Sequence, residues 1–200
     1  MSSSQRLDPL PPEHTPELKE EFDSFFKTLG FVPNSVLTMQ RKPKVAKAFV
    51  QMQRAIWDPD SKVDRGLKRL VAHAASRVAD DPYSMAHTAS GALHFGIAAE
   101  KLAVVRDYET STAFTPAERA AIALAVKASS TPNLVTEDTF ATLRQYWSEE
   151  QIVELLSVIA MAGFLSRWNV TMATPLEPEG KDIGERYLAP LGWSAGSHDR

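Results

Sequence analysis

Cysteine is missing from all 200 residues. That absence removes a disulfide framework, thiolate metal sites and any reaction that carries a thiol through sulfenic or disulfide states, and it fits a cytoplasmic protein. An excess of one charge is missing too. The 22 Lys and Arg against 25 Asp and Glu leave a net charge of −3, and the basic residues are spread rather than gathered in a stripe, so neither nucleic acid nor an anionic membrane is an expected partner. Long hydrophobic runs are lacking: the most apolar stretch, Ile152 to Leu165, is interrupted by Glu154 and Ser157 and is shorter than the ~20 residues of a membrane span, so it is read as a buried helix. The opening MSSSQRLDPLPPEH has no basic start followed by an apolar block, and no export signal is expected. The glycine patterns of dinucleotide and phosphate loops are absent, so no cofactor is expected.

What is present is helical periodicity. Leu18, Phe22, Phe25, Phe26 and Leu29 recur at threes and fours, which predicts an amphipathic helix over Thr15 to Leu29 ended by Gly30. Further helices are predicted over Lys44 to Trp57, from about Val63 to Ala79 behind Ser61-x-x-Asp64, from near Tyr83, over Ala98 to Tyr108, and over Thr136 to Gln145. Thr115-Pro116-Ala117-Glu118 and Ser148-x-x-Gln151 are capping boxes, the second opening the most apolar helix, which belongs in a bundle centre or at a subunit interface. A last helix is predicted near Asp182 to Leu188. No strand alternation occurs, so the fold class is all-α, a single helical bundle domain at 15–177 with a flexible arm at 1–14 and an extension at 178–200.

Three of the five histidines fall between Arg69 and His94. Asp80-Asp81-Pro82 breaks the helix there, because Asp before Pro favours a new helix start, and Ser84, His87, Gly91 and His94 then share one face at steps of three and four. His73 and His94 are read as structural. His87 has two readings: a hydrogen-bonded structural residue, or a proton carrier beside a helix start whose free N–H groups favour negative charge. Arg69, His73 and Arg77 recur every four residues, a row that either faces a pocket or lines a solvated surface, the latter being preferred. His87 and His94 stand seven residues apart, about 10 Å along a helix, too far to share one zinc, so no metal site is expected. Ser84 and His87 share a face, yet no third orienting acid is identifiable for a nucleophilic pair.

The segment resembles the core motif of the carboxymuconolactone decarboxylase and alkylhydroperoxidase D-like superfamily, a helix ending in Ser-Arg that runs into Cys-x-Tyr-Cys-x-Ala-His-Thr. Ser76-Arg77, Tyr83 and Ala86-His87-Thr88 match it. Asp81 and Ser84 stand in place of the two cysteines, and Arg69 stands where many relatives have a glutamate. Leu29 to Pro43, Phe114 to Ala125, Gly163 to Glu177 and the terminal LGWSAGSH also resemble the peroxidase-related branch of about 200 residues.

The resemblance implies an oligomer, commonly a trimer or hexamer, and an activity on a small-molecule substrate. With no thiol, no thiol-dependent peroxidase turnover is expected. The implied activity is acid–base chemistry on a small lactone, enone or carboxylic acid, with His87 moving the proton, Asp81 or Ser84 orienting it, and Arg69, Tyr83 and Thr88 binding substrate. Arg69 either holds a substrate carboxylate or neutralises Asp81. The rival readings are a catalytically inert oligomeric accessory protein and a peroxidase-related protein.

Overall fold

The computed structural model describes residues 6–199; the first five residues of the expected arm and Arg200 lie outside them. Ten α-helices follow one another among the described residues, with no strand. They are α1 (Lys19–Leu29), α2 (Asn34–Met39), α3 (Pro43–Ile56), α4 (Arg65–Val78), α5 (Pro82–His94), α6 (Ala99–Ala103), α7 (Pro116–Ser129), α8 (Glu137–Leu143), α9 (Glu149–Met172) and α10 (Pro178–Ile183).

The helix starts obey local chemistry. Asp64, rather than Ser61, caps α4 by accepting from the Leu67 amide, and Asp81 caps α5 by accepting from the Ser84 amide with Pro82 in the first turn. Both capping boxes form, Thr115 with Glu118 at α7 and Ser148 with Gln151 at α9. Ser61 instead meets Glu154 of α9. The helix predicted over Ala98 to Tyr108 is shorter: α6 stops at Ala103 and a 3-10 turn follows over Val105–Asp107.

α4 is the axis of the bundle, packed against α5, α7 and α9. Leu67, Leu70, Val71, Ala74 and Ala75 supply its core face, and alanines 120, 121 and 125 of α7 let that helix approach closely. A second cluster, built from Leu18, Phe22, Phe25, Val36, Met39, Phe49 and Val50, joins through Met161 of α9. α9 is longer than its apolar stretch suggests, 24 residues, enough by length and composition to cross a bilayer. One of its sides is core, with Leu155, Val158 and Ile159 buried, while Val153, Leu156, Phe164 and Val170 remain exposed.

Two expectations are corrected. The middle of the row Arg69, His73, Arg77 is not solvated: His73 is completely buried, its Nδ1 bonded to the Met85 carbonyl at 3.1 Å, because α5 crosses over that side of α4, while Arg69 and Arg77 are half-buried. Residues 178–199 also do more than extend the domain. Leu188, Trp193 and Ala195 enter the main core, and the Trp193 ring lies so close to Gly184 that a Cβ there would sit 2.3 Å from it. Trp193 Nε1 donates to the Pro82 carbonyl at 3.1 Å, tying the tail to the start of α5.

Candidate functional site

The first turn of α5 divides its polar side chains between two directions. Asp81 and Ser84 face inward. Asp81 is completely buried, and one oxygen accepts from the Ser84 amide at 3.1 Å. Its other oxygen, next to Ser166 of α9, lacks a well-formed hydrogen bond. Burial pushes the Asp81 carboxyl upward, and hydrogen bonding from Ser84 offsets this only in part. The Ser84 hydroxyl accepts from Asn169 Nδ2 of α9 at 3.2 Å. Close by, His198 Nδ1 donates to the Thr174 carbonyl at 2.7 Å, which holds the tail over this seam.

Tyr83 and His87 face the other way, toward the segment that leads into α10. His87 Nε2 lies 2.7 Å from Glu177 Oε2. The other oxygen of Glu177 accepts from the Tyr83 hydroxyl at 2.9 Å and from the Asn34 amide at 2.5 Å. Asn34 is fixed in turn by a 3.0 Å bond from Nδ2 to the Pro175 carbonyl. The Tyr83 and His87 rings are 4.6 Å apart, and Phe31 closes the far side at 6.1 Å. The side chain of His87 is 24% exposed and that of Glu177 8%.

Electrostatics sort the protons in this cluster. Burial would raise the Glu177 carboxyl, but the His87 charge and the bonds from His87 and Asn34 outweigh it and leave Glu177 below its ordinary range. The Tyr83 phenol is held well above its ordinary range by burial and by the Glu177 carboxylate. At neutral pH Glu177 is therefore an anion and Tyr83 a fixed donor to it. Glu177 favours the tautomer with the proton on His87 Nε2, which leaves Nδ1, without a hydrogen bond to any described residue, free to take or give a proton.

The predicted site residues are thus parted. Tyr83 joins His87, whereas Asp81 and Ser84 form their own buried group and do not bond its ring. Thr88 donates to the Ser84 carbonyl at 2.6 Å and borders His73 at 3.2 Å. Arg69 does not neutralise Asp81; its guanidinium stacks 3.7 Å over Trp57. Sequence reasoning missed Glu177 and Asn34. The available signals were a carboxylate directly before Pro178, and Pro33-Asn34 at a helix start. Among the described residues no group of three or more His, Asp or Glu could hold a metal. Two surface cavities of about 360 and 310 Å³ lie along α9 and between α7 and α8, and neither is lined by His87.

A family model described as the carboxymuconolactone decarboxylase family matches residues 43–127. The crystal structure of the debrominase Bmp8 in its apo form is 31% identical, with a TM-score of 0.81 over 90% of this chain and 96% of that one. A cysteine-to-alanine variant of Bmp8 in complex with 2,3,4-tribromopyrrole aligns with a TM-score of 0.83 at 31% identity, covering 91% and 97%. An uncharacterized peroxidase-related protein with an alkylhydroperoxidase AhpD core, from Ralstonia eutropha JMP134, shares the fold at 22% identity, with a TM-score of 0.70 over 86% and 88%. No curated protein matches the sequence.

Proposed function

Since this chain belongs to the carboxymuconolactone decarboxylase and alkylhydroperoxidase D-like superfamily, we propose that it is a non-redox member that transfers protons on a small lactone, enone or carboxylic acid. The observation that carries this reading is the 2.7 Å pair of His87 and Glu177 in a chain without cysteine. His87 moves the proton through Nδ1, and Glu177 fixes the tautomer and stabilises the imidazolium that forms, the division of labour of a histidine–carboxylate dyad. Tyr83 and the Asn34 amide hold Glu177 still. The orienting role assigned by sequence to Asp81 or Ser84 passes to Glu177, because Glu177 is the group bonded to the ring.

The Bmp8 structures support a planar unsaturated ring as a second ligand class, since that protein is a debrominase whose variant holds 2,3,4-tribromopyrrole. Debromination by thiol chemistry is not proposed here, because Asp81 and Ser84 cannot form a thiolate or a disulfide. The exposed apolar row on α9, Val153, Leu156, Phe164 and Val170, supports assembly into a homo-oligomer.

The test is a thermal-shift screen of wild type and His87→Ala against lactones, enones, unsaturated acids and 2,3,4-tribromopyrrole, followed by turnover of whatever binds. A compound converted by wild type and not by His87→Ala supports the reading. Binding by neither protein, with no conversion, favours an inert accessory protein, and peroxide consumption by pure wild type would overturn the non-redox assignment.

A further inference from the structure

Lys68 and Arg69 are neighbours on α4, Lys68 buried and Arg69 half-buried, and their surroundings differ. Lys68 has its charge met: Nζ donates to the Ile56 carbonyl and to Ser61 Oγ and lies 3.8 Å from Glu154. Arg69 has nothing of the kind. None of its side-chain N–H groups donates to a described residue, no carboxylate lies within ion-pair distance, and its Nε is enclosed without a partner. The charge that acts on it is Arg65, of the same sign; burial and Arg65 together lower it to about 10, so it remains a cation at neutral pH. A half-buried guanidinium with an enclosed Nε and no counter-charge is favoured when an anion joins it.

The guanidinium is also held in a fixed pose. It lies flat on Trp57 at 3.7 Å, and its stem passes so close to Gly91 that a Cβ there would be 2.8 Å from Arg69 Cδ. Its Nη groups, unlike Nε, are not enclosed. A rigid planar fork whose two Nη groups leave one N–H edge open matches a carboxylate better than a spherical anion.

We propose that Arg69 and Trp57 form a subsite for a small organic carboxylate, which pairs with the open edge of the guanidinium while Arg65 adds positive potential at the rim. Gly91 is one turn beyond His87 on the same face of α5, about 6 Å in helical rise, which puts the Arg69 stem on the side of α5 that carries His87. The binding claim stands on Arg69 and Trp57 alone; its assignment to the substrate rests on the proton-transfer reading of His87.

The experiment titrates acetate, crotonate and benzoate, with methyl crotonate as the uncharged control, into wild type, Arg69→Gln, Arg65→Gln and His87→Ala by calorimetry. Expected are saturable binding of at least one acid to wild type and His87→Ala alike, at least tenfold weaker binding to Arg69→Gln, a smaller loss with Arg65→Gln, and no binding of the ester. Arg65→Gln keeps the test open if Arg69→Gln fails to fold, since Arg65 is at the surface. Equal affinity in the arginine variants, or no acid bound by wild type, overturns the subsite. Acid binding without turnover removes the proton-transfer reading and leaves the subsite; turnover of neutral lactones without acid binding does the reverse.

Discussion

Asp81 and Ser84 point into the seam between α5 and α9, while Tyr83 and His87, on the same turn of α5, point toward Glu177. The inward pair is sealed: Asp81 caps its helix, and Ser84 is bonded to Asn169. The outward pair is partly open and wired to a carboxylate held by three donors. Where the superfamily motif has two cysteines this chain has side chains that serve helix capping and packing, and the proposed chemistry rests on the motif's histidine. On the proposed reading the reactive group lies one turn further along α5, at His87.

The largest expected effect is at His87. His87→Ala should lower turnover by ~10²- to 10⁴-fold, the usual contribution of a positioned acid–base group, while the helical circular dichroism is preserved. A smaller loss would place His87 with the structural residues and erase the contrast.

Next is acid sensitivity beneath the inward pair. His73 is completely buried, and burial, with the Arg77 charge, lowers it from 6.5 to about 4. Between those values the unfolded chain takes a proton that the folded chain refuses. The stability of neutral His73 is therefore fully present above pH 6.5 and is lost as pH falls toward 4, by about 3 kcal/mol at ~1.4 kcal/mol per unit. Asp81, raised by burial above the ordinary carboxylate value, acts in the opposite sense. Denaturant melts from pH 7 to 4.5 should show the loss, and His73→Gln should flatten it; an unchanged slope in that variant would assign acid sensitivity elsewhere.

Glu177→Gln keeps an acceptor for Tyr83 and Asn34 but removes the charge behind the imidazole. Turnover should fall because the tautomer and charge behind the imidazole are lost, with little change in melting temperature, and steady-state kinetics beside a melt separates the two. A large stability loss with normal turnover would make Glu177 a packing residue.

The smallest effect sharpens the inward half. Asp81→Ala removes a cap and should cost ~0.5–2 kcal/mol, a drop of a few degrees in melting temperature for a chain of this size. Turnover per folded molecule should stay within about threefold of wild type. A loss as large as that of His87→Ala would return Asp81 to the reaction.

Much of the α5 region was legible in the sequence because it depends on local rules. Pro82 behind Asp81 announces a helix start, and the structure puts the cap at Asp81. The capping boxes at Thr115 and Ser148 read equally well, being complete within four residues. Glu177 was not legible, since its bond to His87 joins positions 90 residues apart and exists only because α10 lies across α5; the domain boundary read at 177 falls on that residue. The Arg69 row misled for the same reason. Steps of four place residues on one side of a helix, but only the packing partner decides whether that side meets water, and here α5 covers it.

The central claim, that the His87–Glu177 pair moves protons without redox chemistry, is tested most directly by deuterium incorporation. Wild type, His87→Ala and Asp81→Ala would be incubated in D2O with the unsaturated acids, enones and lactones, without any reductant, and the recovered compounds analysed by mass spectrometry. The account predicts carbon-bound deuterium with wild type and Asp81→Ala and none above blank with His87→Ala. Incorporation unaffected by the loss of His87, or absent from every compound with wild type, would contradict it.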